Sequence, residues 1–411
     1  MTGVESGGRR AVAVRRLLAA PTVDLAAHEA THGRLPIVTR KLIDAVAASG
    51  LRGRGGAGFP VARKLAAVAG GRRPIVVANG AEGEPDSRKD AVLLTRAPHL
   101  VLDGLVAAAA AVGSRDCRVY ASEAVLEPLR RALVERRMVG YREPAIELTA
   151  AAETFLAGEK SAVVNRLSGR AALPADQVVS TSRLGVGGRP TLVHNVETLA
   201  QLALIARHGP SWFRSVGAGD EPGTMLISLS GTRIAGVFEV AAGAELPEVV
   251  AGLGGTDPAR VRAVLVGGWH GTWISGSALP GAALSAQGLR HLRAAPGAGV
   301  VRVLPHGECG LGVTAEITAY LAAQSAGQCG PCRHGLPTLA TRFGQLVDGV
   351  GDPAELARVA RLVEGRGACH HPDGTARLVR SALEVFADEV ARHRHGHCVA
   401  AAPARTGDCD E

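Results

Sequence analysis

The run Gly50-Leu-Arg-Gly-Arg-Gly-Gly-Ala-Gly-Phe-Pro60 constrains this chain more than any other stretch, because five of its eleven residues are glycine. A backbone without Cβ atoms can turn tightly and present its N–H groups to a ligand. Pro60 has the φ suited to the first position of a helix. Residues 61–69 continue in helix formers, with Arg63 and Lys64 in the first turns. Free amides that feed a helix N-terminus beside cations predict a phosphate or pyrophosphate site. Gly53 to Gly58 spell G-x-G-x-x-G, but a dinucleotide fingerprint needs a strand before its first glycine. Residues 40–49 carry helical apolar spacing instead. The ordinary Rossmann reading therefore fails, and so does a P-loop, since no Gly-Lys-Ser/Thr follows the glycines. A flexible surface loop is the competing reading. Against it stands the unbroken order of helix, glycine loop, helix and the strand-like Pro74-Ile-Val-Val-Ala78.

With 411 residues the chain has room for two or three domains. Hydrophobic residues make up 46% and aromatics only 3%, so Ala, Val and Leu must fill the core. The formal charge of +8 would permit nucleic-acid binding. The basic residues are scattered, however, with no RNA-binding motif, so the charge reads as a solvated surface helped by anionic ligands and nucleic acid is not expected as a partner. Residues 9–16 are basic but too short in apolar content for a signal peptide. Residues 101–112 are interrupted by Asp103 and too brief to span a bilayer. The expectation is a soluble, cytoplasmic protein that meets a membrane only through partners. Seven cysteines without a secretory signal argue against a disulfide framework. Four of them, Cys309, Cys329, Cys332 and Cys369, lie within sixty-one residues and predict metal or cluster chemistry.

Along the chain, residues 1–30 read as a lead-in, and 31–210 alternate helices with short apolar strands, as in an α/β layer architecture. The strand Ile75-Val-Val-Ala-Asn79 ends in the acidic turn Gly80-Ala-Glu-Gly-Glu-Pro-Asp86. Carboxylates at a strand C-terminus can accept hydrogen bonds from ribose hydroxyls or a carboxamide. A solvated acidic turn is the alternative. Residues 90–112 predict one helix, residues 117–121 a strand and the next stretch a helix to about 137, with Cys117 as a small core residue. Residues 220–290 change to short strands at 224–230, 236–240 and 262–268. Residues 300–395 read as helical, with helices at 314–324, 353–364 and 375–392. Within them, Cys329 and Cys332 form a C-x-x-C pair that serves zinc, a redox disulfide or an iron–sulfur cluster. Cys369-His370-His371 could supply the second half of a zinc set. The stretch 396–411, with Cys398 and Cys409, lacks periodicity and is expected to be a mobile tail.

These motifs, in this order, resemble the NADH-binding 51-kDa flavoprotein subunit of respiratory complex I, a module also carried by NAD-reducing hydrogenases and formate dehydrogenases. Ser49 to Pro60 is similar to its flavin loop. Asn79, Glu82, Glu84 and Pro85 match an Asn-Ala-Asp-Glu-Ser-Glu-Pro stretch, with Ala81 and Gly83 as departures. Gly158 and Glu159 match a Gly-Glu-Glu, in which Lys160 reverses a charge. Asn195 matches a flavin-side asparagine, and its neighbour His194 is a replacement that by itself reads as a surface or helix-capping histidine. Ser325, Gly327, Cys329, Pro331, Cys332, Arg333 and Gly335, with Cys369 later, match the cluster pattern, but Ala326 occupies the place of its first cysteine.

The resemblance implies an atypical Rossmann-like α/β flavin/nucleotide-binding domain, then a ubiquitin-like β-grasp domain with a docking role, then a C-terminal helical iron–sulfur bundle. It implies FMN, which accepts two electrons and releases them singly, NAD(H), and a 4Fe–4S or 3Fe–4S cluster. Gly53, Arg54, Gly55, Gly56, Gly58, Phe59, Lys64, Asn79, Glu82, Glu84, Gly158, Glu159 and Asn195 would bind cofactor, with Lys64 on the phosphate, Asn79 and Asn195 on the flavin ring, and Phe59 and Glu84 toward the nucleotide. Cys329, Cys332 and Cys369 would be metal ligands, and no catalytic acid, base or nucleophile is assigned. Leu65-Ala-Ala-Val68 lacks the aromatic that stacks on adenine in the family. For the cluster, His334 or Cys309 could replace the missing thiolate, three thiolates could hold a 3Fe–4S cluster, or the site could be empty. The implied partners are iron–sulfur electron-transfer proteins of a multisubunit complex, a 2Fe–2S subunit or ferredoxin. Two further readings stand beside this one: an Rnf-like ferredoxin–NAD oxidoreductase flavoprotein, suggested by Gly158-Glu159-Lys160, and a non-catalytic scaffold subunit.

Overall fold

The computed structural model describes residues 13–176 and 179–400. Short apolar runs in the first half form a parallel sheet of β1 (Ile75–Gly80), β2 (Asp116–Ala121), β3 (Ala145–Ala150) and β4 (Thr191–Asn195), in the order β3-β2-β1-β4. The unbroken Ile-Val-Val-Ala of β1 suits a central strand covered on both faces. Val76, Ala78 and Leu192 pack under the helices Val61–Ala69, Pro98–Val112 and Val196–Arg214. On the opposite face, Ile75, Val77 and Val193 meet Val163 and Val164 of the helix Lys160–Leu167. The chain steps outward from β1 to β3 and then places β4 on the far side of β1. The order therefore reverses between β1 and β4, and ligands of open α/β sheets bind at the strand C-termini beside such a reversal.

Three expectations are corrected in this half. Residues 90–112 form two helices, Lys89–Arg96 and Pro98–Val112, bent by 96°. Ala97, with φ −137° and ψ 48°, leaves the helical region because Pro98 follows it. The edge strand β3 was not anticipated. The lead-in takes up structure from residue 13: the N–H groups of Arg16, Leu17 and Leu18 donate to the Glu239 carboxylate, and Asp24 caps the helix Leu25–His32. The first twelve residues of the lead-in, and residues 401–411 of the expected tail with Cys409, lie outside the described residues.

The second sheet contains β5 (Thr224–Ser230), β6 (Gly236–Ala241), β7 (Val261–Val266), β8 (Thr272–Ser275) and β9 (Val300–Pro305), ordered β6-β5-β9-β7-β8. β9 lies beyond residue 290, in the stretch expected to be helical, yet it is the middle strand, parallel to β5 and antiparallel to β7. The helices Gly310–Ala323, Leu336–Val347, Pro353–Val363, His371–Val385 and Ala387–Arg394 follow. Their core of Leu311, Phe343, Leu356, Val379 and Phe386 takes in Trp273 from β8. Among the described residues no single helix is long and apolar enough to cross a membrane.

Candidate functional site

The glycine run bridges the helices Leu42–Ser49 and Val61–Ala69 and closes on itself. The Gly53 N–H donates to the Phe59 carbonyl at 3.0 Å, the Val61 N–H to the Leu51 carbonyl at 3.1 Å, and Arg52 Nη1 to the Gly58 carbonyl at 3.1 Å. Gly56 has φ +106° and Gly58 φ +58°, values that side chains resist. A Cβ on Gly55 would stand 3.2 Å from the Cβ of Asn195, so the loop lies directly over the C-terminus of β4. Arg54 turns inward: its N–H donates to Thr198 Oγ1, and its guanidinium holds Glu221 and the Thr224 carbonyl. This arginine braces the loop against the second sheet, and its charge is spent there.

Asn79 and Asn195 are register partners at the ends of β1 and β4, on the two sides of the order reversal. Asn79 Nδ2 donates to the Gly158 carbonyl at 2.9 Å. The turn after β1 and the 154–159 loop touch through glycines: a Cβ at Gly83 would fall 2.4 Å from the Thr154 carbonyl oxygen, and one at Gly158 would fall 2.7 Å from that of Ala81. Gly83, a departure from the family stretch, is thus the residue that admits the facing backbone. Glu159 caps the helix Lys160–Leu167 by accepting from the N–H groups of Ser161 and Ala162 at 2.8 and 3.0 Å. Glu82 likewise accepts from the N–H groups of Asp90 and Ala91 at the start of Lys89–Arg96. Burial, with Asp90 nearby, raises its pKa. Glu84 accepts from the Trp269 N–H at 2.8 Å, and its burial pushes its carboxyl up to about 8. Phe59 is exposed, with the Lys64 ammonium 5.7 Å from its ring centroid.

Lys64 is lowered in pKa by burial and then by the charge of Lys160, which places the two cations near each other. Among the described residues neither has a carboxylate at ion-pair distance, whereas Lys89 is paired with Asp90 at 2.7 Å and Glu197 at 2.9 Å. His194 is neither a surface residue nor a helix cap. It is 2% exposed within β4, and burial together with Lys64 drives its pKa down to about 3. Its Nε2 is buried without a partner. The sequence reading missed Lys89 and Asp90. Lys89 is held charged by its carboxylates despite burial, and Asp90 accepts from Asn195 Nδ2 at 2.5 Å. Asn195 Oδ1 caps the helix Val196–Arg214 through the Glu197 N–H. The only sequence signal for this network was the Asn-Val-Glu order after β4.

The cysteine loop follows Gly310–Ala323. Cys329 and Cys332 Sγ stand 3.6 Å apart at the π-helical turn Pro331–Gly335, with Cys332 buried. Backbone groups near the three sulfurs favour their thiolates: Ala368 for Cys329, Gly327 for Cys332 and His371 for Cys369. Burial, with Cys332, Glu159 and Cys329 close by, pushes Cys369 up to about 11. The Phe155 N–H donates to Gln324 Oε1 at 3.0 Å, which puts the 154–159 loop beside the start of the cysteine segment. Phe155 meets His270 and Tyr320 edge-on and His371 at a tilt, and His270 Nε2 lies 2.9 Å from His371 Nδ1. His334 is exposed next to the loop. Cys309 is excluded from it, because it sits at the far end of the fourteen-residue helix Gly310–Ala323, about 21 Å long at 1.5 Å per residue.

Fold and site together define an α/β protein with an anion-ready crevice at a sheet reversal, adjoining a helical region that gathers three thiols. Residues 46–204 match the Nuo51 FMN-binding domain, and residues 312–393 match the NADH-ubiquinone oxidoreductase-F iron-sulfur binding region. The chain is 31% identical to the second NADH-quinone oxidoreductase F subunit of Rhizobium meliloti, over 86% of this chain and 88% of that protein. It is 30% identical to the NADH-quinone oxidoreductase F subunit of Streptomyces coelicolor, over 92% and 88%. The HndC subunit of the NADP-reducing hydrogenase of Solidesulfovibrio fructosivorans is 27% identical, over 87% and 77%. The crystal structure of an NAD+-reducing [NiFe]-hydrogenase in the H2-reduced state superposes with a TM-score of 0.79 at 29% identity. That match covers 86% of this chain and 62% of the hydrogenase chain. The chain belongs to the family of NADH-quinone oxidoreductase F subunits.

Proposed function

We propose that this chain is the electron-input flavoprotein subunit of a multisubunit complex, oxidising NADH or NADPH with FMN and delivering electrons to a partner iron–sulfur protein. The observation that carries this is the crevice between β1 and β4. A glycine loop with positive φ lies over Asn195, Lys64 and Lys160 have no carboxylate at ion-pair distance among the described residues, and among them the buried His194 Nε2 has no partner. These residues fit an anionic, hydrogen-bonding flavin nucleotide. The amides of Gly53, Gly55, Gly56 and Gly58 with Lys64 would hold its phosphate, and Asn79 and Asn195 would fix its ring from the two strand ends. Gly158, Glu159, Phe59 and Glu84 would border the nicotinamide nucleotide, and Glu82 and Arg54 would hold the walls. Bound FMN supplies two-electron acceptance and one-electron release, while the protein supplies position and electrostatics.

The cysteine loop fits an iron–sulfur cluster for three of its ligands, since soft thiols with backbone groups nearby that favour their thiolates are the usual setting. Cys329, Cys332 and Cys369 would bind it, and Ala326 leaves a fourth iron to His334 or solvent, or no fourth iron at all. The mixed sheet with β5 and β9 parallel at its centre is read as the β-grasp domain, extending to residue 305, with a docking role. The partner is read as a 2Fe–2S protein, and the location as the cytoplasm, at the membrane only through such partners. Lys160 favours a variant of this reading, in which a ferredoxin-type protein exchanges the electrons.

An anoxic NADH titration of the FMN-reconstituted protein, followed by flavin absorbance, tests the reading. The expected result is bleaching near one NADH per flavin. Bound flavin that NADH leaves oxidised would replace it with the ferredoxin variant, and failure to bind flavin would leave only a scaffold.

A further inference from the structure

Cys309, His393 and Cys398 lie 84 and 89 positions apart at the extremes, yet their ligand atoms all fall within 4.8 Å of one another. Cys309 precedes the helix Gly310–Ala323, His393 is in the last turn of Ala387–Arg394, and Cys398 follows that helix. Cys309 Sγ is 3.4 Å from His393 Nε2 and 3.3 Å from Glu389 Oε2. Ligands on a tetrahedral zinc ion, at roughly 2.3 Å for sulfur and 2.1 Å for nitrogen or oxygen, stand roughly 3.6 Å apart. The Cys309–His393 spacing is therefore close to that of a coordination shell, and Cys398 lies near enough to complete one with small movement.

The surroundings are also those of a metal shell. His393 Nδ1 lies 2.6 Å from the Val347 carbonyl, which can only accept, so Nδ1 carries the proton and Nε2 offers its lone pair toward Cys309. Glu389 is fully buried. Its Oε1 meets Arg262 at 2.6 Å, and its Oε2 accepts from the Leu311 N–H at 3.1 Å. The Gly312 N–H points at Cys309 Sγ at 3.2 Å. Two thiolates, one carboxylate, one guanidinium and one dication would sum to neutrality in this buried place.

We propose that Cys309, His393 and Cys398 form a structural site for a divalent zinc-type cation that clasps the end of the helical region to its beginning, with Glu389 beside it holding Arg262 and the Leu311 N–H and a solvent molecule taking the fourth position. The donor set of two sulfurs and one imidazole selects a borderline-soft tetrahedral ion over magnesium or calcium. Binding releases the two thiol protons to solvent. The site stands apart from Cys329, Cys332 and Cys369 by the length of the helix Gly310–Ala323.

The test is metal analysis of the full chain, purified from zinc-supplemented cells, beside Cys398→Ser and His393→Ala. The expected result is one zinc per chain, falling below about one tenth in both variants while iron and flavin content hold. Cobalt(II) added to metal-depleted wild-type protein should give the visible bands of a tetrahedral thiolate site, which both variants lose. Should the variants fail to fold, zinc-edge X-ray absorption on the wild type decides, expected to show two sulfur and two lighter ligands. Wild-type protein without zinc and without the cobalt spectrum overturns the proposal. So does a Cys309–Cys398 disulfide in non-reducing mass spectrometry, or zinc retained by both variants, which would place it on the other cysteines.

Discussion

At the crevice between β1 and β4 the geometry is carried mainly by backbone: positive φ at Gly56 and Gly58, Gly55 against Asn195, and Gly83 and Gly158 against the chain facing them. In the cysteine loop the proposed chemistry would be carried by the three sulfur atoms of Cys329, Cys332 and Cys369. The first kind of site would tolerate Ala81, Lys160 and His194 in place of the family's residues, because backbone amides survive a change of side chain, while Gly83 is itself what admits the facing backbone. The second kind does not, since each ligand is one atom and Ala326 removes one. Departures from a family pattern therefore weigh differently in the two places. In the crevice they tune affinity, and in the loop they change what can be bound.

The largest effect should come from Cys332→Ser, with iron per chain falling close to zero while flavin per chain is kept, both measured on one sample. Loss of flavin as well would break the separation of the two regions. Gly56→Val should do the reverse. A β-branched residue at φ +106° costs about 1–3 kcal/mol, so FMN binding weakens by roughly 5–150-fold in a fluorescence titration while iron is retained. Ala326→Cys sharpens the comparison further. If the wild type holds a three-iron cluster, it is paramagnetic when oxidised, and the variant should change to a cluster seen by electron paramagnetic resonance only when reduced. A wild type that already behaves like the variant would assign the fourth iron a ligand such as His334.

The smallest effect concerns Glu84. Its folded-state pKa of about 8 lies above the ordinary glutamate range, so between about pH 4.5 and 8 the folded protein keeps a proton that the unfolded chain has released. Stability should then be greatest below this window and fall as pH rises through it, by at most about 1.4 kcal/mol per pH unit from this group. Glu84→Gln should flatten the urea-melt stability profile over this window relative to wild type. An unchanged difference from pH 5 to 8 would mean that Glu84 ionises freely.

The sequence made the crevice's chain-local parts legible. The helix before the glycines, the loop itself and the strand ending at Asn79 all follow from spacing within a dozen residues. What it hid depends on distant partners. Glu84 meets the Trp269 amide, and Arg54 meets Glu221. Lys89, Asp90 and Glu197 form a buried charge network whose members are unremarkable on paper. His194 read as exposed because a lone histidine usually is, and only the parallel pairing of β4 with β1 buries it. β3 escaped notice as a half-exposed edge strand with few β-branched residues. β9 was lost because it lies far along the chain from the sheet it completes. Cys398 was assigned to a tail for lack of periodicity, since nothing local reveals Cys309.

That late strand has a consequence for the order of events at the ribosome. β5 finds its parallel neighbour only when residues 300–302 have emerged, about seventy residues after its own. At synthesis rates of roughly 5–20 residues per second, this is a wait of about 4–14 seconds. Throughout it the inner edge of β5 is unsealed, and once residue 275 has been made so is that of β7, the arrangement most open to pairing with another nascent chain. The sheet is thus a zip whose slider arrives last. Its closure coincides with the start of the helical region, so the two must mature together rather than in turn.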